Sequence, residues 1–326
     1  MIFSTIGTSW ITQKFIEAAN ASGKAYLHSI YSRSPQKAQQ FAENNGAMKR
    51  FTDIDEMLQE PIDFIYIASP NTLHYEHIRK SIAQGKHVFC EKPLVYTEQQ
   101  WKTLKEEAHK KGVFLFEGLR HLFTPNYYTL KAALSKAGQI RSAILQYVQY
   151  SSRYDEFKKG TIPNIFSKEF AGGALMDLGI YPLSMAIDLF GEPFDIAYFP
   201  VKLSNGIDGS GTLIAMYPDF NVTIMCSKIA QATIPSEIHG EDGTLTIDHL
   251  APINTVHFYD RKTKKTEILT DSSTELDMVY EVESFVKIIE ENDKRYHDEL
   301  LERSGLVVKF LEIARKKERI FFTDEN

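Results

Sequence analysis

From residue 1 to about 120, short apolar runs rich in β-branched and aromatic residues alternate with longer segments of helical period. The runs are Ile2–Ile6, Tyr26–Tyr31, Phe64–Ala68, His87–Cys90 and Val113–Phe116. Trp10–Ala21, Pro35–Asn44, Thr72–Gln84 and Thr97–Lys111 lie between them, with apolar residues three and four apart. Ser34-Pro35 and Thr97-Glu98 are helix starts, and Gly23, Gly46, Gly85 and Gly112 are stops. Runs that are apolar throughout belong to strands buried on both faces, so this half is expected to form βαβ units around a parallel sheet.

Past about residue 125 the texture changes. Helices are expected near Asn126–Lys136 and Gly173–Leu189, and a final helical pair over Glu275–Glu291 and Glu299–Lys317. Between them Ile144–Tyr150, Gly211–Tyr217, Val222–Ser227, Ser236–Gly240, Thr244–Ile247, Asn254–Tyr259 and Thr266–Leu269 alternate by two, the pattern of an antiparallel sheet. In Gly211–Tyr217, Thr212, Ile214 and Met216 point one way and Leu213, Ala215 and Tyr217 the other, so both faces of that sheet need a cover. A second subunit would supply one, and a homodimer or higher homo-oligomer is expected. With 326 residues the chain is long for one core, and two domains are expected, 1–120 and 121–326.

Charge excludes one class of partner. There are 15 basic and 13 acidic residues up to position 120 and 22 and 30 after it, so neither half carries the basic stripe that nucleic acid requires. Cys90 and Cys226 are too few for a disulfide framework or a cysteine-based zinc site and fit a reducing compartment, the cytoplasm. Met1–Trp10 has no basic leader, and the apolar stretch Gly172–Phe190 is interrupted by Asp177 and Asp188, so neither secretion nor membrane insertion is expected.

The first strand runs into Gly7-Thr8-Ser9-Trp10-Ile11-Thr12, where a dinucleotide fingerprint wants glycine at 7, 9 and 12 and only Gly7 is present. Backbone N–H groups of Gly7, Thr8, Ser9, Trp10 and Ile11 at a helix start suit a pyrophosphate; an ordinary βα turn is the alternative. The second strand ends Tyr31-Ser32-Arg33-Ser34 without the acid that receives ribose hydroxyls in NAD sites, and Lys37 lies one turn on. Arg33, Lys37 and the hydroxyls of Ser32 and Ser34 suit the 2′-phosphate of NADP, or are solvated residues at a helix start. Ser69-Pro70-Asn71 and His74 follow the Phe64–Ala68 strand at the sheet edge where open α/β sheets bind ligands.

The His87–Cys90 strand leads into Glu91-Lys92-Pro93, and a lysine at such an edge can donate to a substrate oxygen. Asp177 and Tyr181 are four apart in an apolar segment and share a helix face, an acid–base pair or a buried tyrosine bonded to a carboxylate. His74 and His77 lack a third ligand on their face, and no metal site is expected.

Four motifs in order, Ser32-Arg33-Ser34, Ala68-Ser69-Pro70-Asn71-Thr72-Leu73-His74, Gly85–Pro93 and Gly172–Pro182, resemble the glucose–fructose oxidoreductase/inositol dehydrogenase/rhizopine-catabolism (Gfo/Idh/MocA) family. The resemblance implies an N-terminal Rossmann domain, a C-terminal α/β domain with a large, mostly antiparallel open sheet that is commonly the dimer face, and NAD(P)-dependent chemistry on sugars, polyols or related carbonyls. It implies Lys92 as catalytic lysine, with Asp177 and Tyr181 in the second catalytic motif and Glu91 beside the cofactor. Tyr181 stands where many members carry His, as in the dihydrodiol and xylose dehydrogenase branch. Leu122 stands where relatives often carry Arg, and Arg120 is the substitute expected to reach substrate. The expected function is hydride transfer between NADP, or NAD, and a hydroxyl or carbonyl carbon of a sugar, polyol or trans-diol. A non-catalytic cofactor-binding sensor is the alternative on this fold.

Overall fold

The computed structural model describes residues 1–272 and 275–325. They form two compact units, Met1–Leu119 with Leu276–Gly305, and Arg120–Glu275 with the segment from Leu306.

In the first unit the chain runs β1 (Ile2–Ile6), α1 (Trp10–Ser22), β2 (Tyr26–Tyr31), α2 (Pro35–Asn45), β3 (Lys49–Phe51), α3 (Ile54–Met57), β4 (Phe64–Ile67), α4 (Asn71–Ala83), β5 (His87–Glu91), α5 (Glu98–Lys111) and β6 (Leu115–Gly118). The six strands pair in parallel in the order β3-β2-β1-β4-β5-β6, the doubly wound Rossmann arrangement. Strand order reverses between β1 and β4, so the loops after them flank the crevice at the carboxyl edge. β3 and α3 are additions to the elements expected from sequence.

The second unit runs α6 (Pro125–Ala133), β7 (Ile140–Val148), α7 (Arg153–Lys158), α8 (Ile180–Phe190), β8 (Asp195–Lys202), β9 (Asp208–Met216), β10 (Asn221–Ser227), β11 (Ser236–Gly240), β12 (Gly243–Ile247), β13 (Thr255–Asp260) and β14 (Lys265–Asp271). Its eight strands are ordered β14-β13-β12-β11-β7-β10-β9-β8; β7 and β10 are parallel and every other neighbouring pair is antiparallel. On β9, Leu213 and Ala215 are buried whereas Thr212, Ile214 and Met216 are half-buried. Beside them on β8, Phe199 is 63% and Val201 56% exposed, so this face lies open in the single chain.

The chain ends in α9 (Met278–Glu291) and α10 (Lys294–Lys317). A boundary at 120 leaves 276–305 in the second domain, but its packing differs. The Phe285 ring lies 4.4 Å from Phe89 and 4.2 Å from Phe116, completing an aromatic core with Phe15 and Phe64, and Gly305 backs onto the Trp101 ring. Apolar burial holds this segment on the parallel sheet. Among the described residues, no helix is long and apolar enough to cross a membrane.

Candidate active site

Because the first sheet is parallel, the segments after β2, β1, β4 and β5 lie along one edge in that order. They carry Ser32–Lys37, Gly7–Ile11, Ala68–His74 and Lys92–Pro93. Gly7 has φ +119, outside the usual range of L-residues. The α1 ladder begins with the Gln13 N–H on the Ser9 carbonyl (3.1 Å), and Ser9 makes no side-chain cap. The N–H groups of the first turn thus face out of the helix end, where its dipole favours an anion. Trp10 is 70% exposed at this end.

Ser32 Oγ accepts from the Ser34 N–H (3.4 Å), and Ser34 Oγ caps α2 by accepting from the Lys37 N–H (3.3 Å). Arg33 and Lys37 are both exposed, and neither has an ion-pair partner among the described residues. Two free cations beside a free helix end fit a dinucleotide carrying an extra phosphate. The Gly7 N–H, by contrast, donates to the Tyr31 carbonyl oxygen (3.3 Å), and the Ser32 and Ser34 hydroxyls accept from the backbone, so these expected ligand groups already have partners in the fold.

His74 is different. It is fully buried, with Nδ1 2.9 Å from the Pro93 carbonyl oxygen and Nε2 2.8 Å from that of Ser69. Burial pushes its pKa down against these carbonyls, so the neutral ring donates to one of them. His74 therefore braces the loops of Ser69 and Lys92 from beneath instead of facing a ligand. His77, outside the expected set, sits on the same edge with Nδ1 3.0 Å from Ser69 Oγ, and burial, with the nearby cations of Lys80 and Arg33, lowers its pKa to about 4. Asn71 is the first residue of α4, preceded by Pro70.

Glu91 receives the Tyr66 hydroxyl at 2.6 Å, and the Lys92–Pro93 peptide is cis. Two residues on, the Leu94 N–H donates to Glu117 Oε1 at 2.8 Å. Burial pushes the Glu117 carboxyl up, opposed by hydrogen bonds from Ser304 and Leu94. Glu117 thus clamps the backbone behind Lys92, a role its position in a buried strand did not announce.

In the second unit, Asp177 lies in a π-helical turn, Leu175–Gly179, that precedes α8, so the expected single helix is two pieces. Such turns reset the face on which side chains emerge. The Asp177 carboxylate is ion-paired with Lys228, just past β10, and Tyr181 is buried in α8. The Tyr181 ring lies 5.0 Å from His121 and 5.2 Å from Tyr147, and Tyr147 lies 5.0 Å from His249. His121 Nε2 donates to the Tyr181 carbonyl oxygen (3.1 Å), fixing the base of this aromatic column. Tyr147 and Lys228 stand at the same end of the parallel pair β7 and β10, so the column and the ion pair share one sheet end. Arg120 Nη2 reaches the Ala251 carbonyl oxygen (3.4 Å), and the Ala251 N–H donates to His249 Nδ1 (3.2 Å). A polar cavity of about 280 Å³ opens here, lined by Tyr147, Gln149, Gln231, Asp248 and His249 among others.

Comparison with known proteins identifies the family. Residues 3–119 match the oxidoreductase family, NAD-binding Rossmann fold (GFO_IDH_MocA), and residues 130–246 match the GFO/IDH/MocA C-terminal domain. The chain is 39% identical over 326 residues, 98% of each protein, to the NADP(+)-dependent scyllo-inositol 2-dehydrogenase IolU of Bacillus subtilis strain 168. It is 30% identical to the trans-1,2-dihydrobenzene-1,2-diol dehydrogenase of Xenopus tropicalis, over 67% of this chain and 66% of that one. The fold matches KijD10, a 3-ketoreductase from Actinomadura kijaniata solved with NADP and TDP-benzene, with a TM-score of 0.85, 21% identity and 97% of each chain covered. A Rossmann sheet followed by the matching second domain, with 39% identity over nearly the whole chain to a family enzyme, makes this chain a member of the Gfo/Idh/MocA family and an NAD(P)-binding oxidoreductase.

Proposed function

We propose that the protein is an NADP-preferring dehydrogenase that oxidises a ring hydroxyl of a small polyol, an inositol first among them, or reduces the corresponding ketone. The observation that carries the cofactor preference is the pair of unpartnered cations, Arg33 and Lys37, at the end of a β2 that offers no carboxylate. The start of α1 takes the pyrophosphate, and Ser69, Pro70 and Asn71 support the nicotinamide ribose. Bound NADP supplies the hydride acceptor.

Each remaining role belongs to this chain. Lys92 donates to the oxygen on the reacting carbon, Tyr181 exchanges its proton, and Asp177 serves as an orienting acceptor. Arg120 and the amides and carboxylate of the cavity suit a substrate rich in hydroxyls. The identity to a scyllo-inositol dehydrogenase over nearly the whole chain supports this class. We assign cofactor binding to the first unit, and substrate binding and self-association, as a homodimer or larger, to the second. The two cysteines, both buried and unpaired, suit the cytoplasm.

The test is a panel of scyllo- and myo-inositol, pentoses, hexoses and trans-diols with NADP or NAD, read by absorbance of the reduced cofactor. Turnover of an inositol with NADP preferred is expected. No turnover on any member, or preference for NAD, overturns the assignment.

A further inference from the structure

We infer that Lys228 is a positioning residue of the reaction, holding the Asp177 carboxylate in one direction. The inference rests on the reading of Asp177 as a residue of the site.

Lys228 is an unusual lysine. It is 4% exposed, directly after β10, and its partner Asp177 is 31% exposed. An ammonium is seldom kept out of water without a partner, and a buried ion pair is weak evidence for a role in stability alone. The backbone of Lys228 is tied on both sides. Its N–H donates to the Gly209 carbonyl (2.8 Å), and its own carbonyl accepts from the Ser151 N–H (2.9 Å). The ammonium also lies 5.9 Å from the Phe166 ring centre. The side chain therefore leaves a fixed base, stays out of water and arrives at Asp177.

The π-helical turn is gripped a second time. Asp208 Oδ2 accepts from the Leu175 N–H (2.6 Å) and from the Tyr198 hydroxyl (2.7 Å). Gly173, just before the turn, has φ +117, and any Cβ there would collide with the Asp208 carboxylate. Burial pushes Asp208 up to about 6, while its hydrogen bonds and the Lys228 charge pull it back. Asp208 thus fixes the backbone of the turn and Lys228 the side chain of Asp177. Without Lys228 the carboxylate, part-exposed, can rotate into water while the turn stays in place. A misplacement of this kind reduces turnover without unfolding the protein.

The experiment is a double-mutant cycle on turnover, run with scyllo-inositol and NADP or with the polyol that the panel finds. Lys228→Met is expected to lower kcat about ten- to a hundred-fold, with NADP affinity unchanged within about two-fold. In an Asp177→Asn background the same change should cost less than about two-fold, because the carboxylate through which Lys228 acts is gone. Thermal unfolding of all four proteins identifies any global loss, and a merely structural lysine would show equal losses in both backgrounds. Lys228→Met at the parent rate beside an impaired Asp177→Asn, or losses that multiply, overturns the role of Lys228 alone. Asp177→Asn at the parent rate overturns the placement of Asp177 in the site, and the role of Lys228 with it.

Discussion

Gly7 passes so close to the end of β4 that a Cβ on it would stand 2.6 Å from the Ala68 carbonyl oxygen. Its positive φ opposes a side chain independently, so Gly7→Ala has to push the loop away from β4 at a cost of about 1–3 kcal/mol. That shift moves the N–H groups at the start of α1. A lower unfolding temperature and an NADP affinity reduced by about ten-fold or more are expected, read by the fluorescence of the neighbouring Trp10. Parent-like NADP binding by this variant would place the pyrophosphate elsewhere.

Arg33→Ala removes one of the two unpartnered cations. A charge-assisted contact to the 2′-phosphate is worth about 1.5–3 kcal/mol, so the dissociation constant for NADP should rise about ten- to a hundred-fold. That for NAD should hardly change. Titration of both cofactors decides it, and an equal effect on the two would mean that Arg33 does not read the phosphate.

Much of this was legible in the sequence because the signals are local. β1, β2 and the starts of α2 and α5 were set by apolar runs and by Ser34 and Thr97, each acting within a few residues. β3 escaped because only three residues pair and none is buried. β8 escaped because Pro200 interrupts it and Phe199 and Val201 face outward, which an edge strand tolerates. The segment 276–305 shows its apolar stripe, but no stripe says which sheet will receive it. At the site, Lys92 and Tyr181 belong to motifs, whereas Lys228 and Asp208 meet the π-helical turn from 51 and 33 positions away. Pairings of that range leave no spacing to read.

His77 makes the first unit sensitive to acid. Its pKa is about 4 in the folded state against 6.5 ordinarily, so between these values the unfolded chain binds the proton and the folded one does not. Stability from this residue is therefore complete above about pH 6.5 and lost as pH falls toward 4. Asp208 in the second unit works the other way, since its folded pKa is raised to about 6 and protonation below that relieves a buried charge. The unfolding temperature of His77→Gln minus that of the parent isolates the histidine. This difference should become more positive on acidification through the window, and a constant difference would remove His77 as the cause.

The open face of the second sheet predicts association. Ile214 pairs with Ala197 on β8 and Thr223 on β10, in the middle of the strip that Phe199, Val201 and Met216 extend. Burying that strip against a second copy would account for both faces of β9 being apolar. Sedimentation should give a species of at least twice the 37.3 kDa chain, and Ile214→Glu should convert it to monomer with the fold retained. A parent protein that is monomeric at micromolar concentration rules this face out.

Lys92 and Tyr181 carry the proton chemistry in the proposed reaction, and acid–base groups contribute about a hundred- to ten-thousand-fold. Lys92→Met and Tyr181→Phe should each lower turnover by about that factor. The phenylalanine keeps the ring that packs against His121 and Tyr147, so the aromatic column and the fold should survive the loss of the hydroxyl. NADP affinity should be unchanged in Tyr181→Phe and modestly weaker in Lys92→Met, because Lys92 directly follows β5 on the edge proposed to receive the cofactor. Single-turnover absorbance with the substrate found by the panel separates chemistry from release. If both variants turn over at the parent rate, the proton passes through other groups and the roles given to these two residues are wrong.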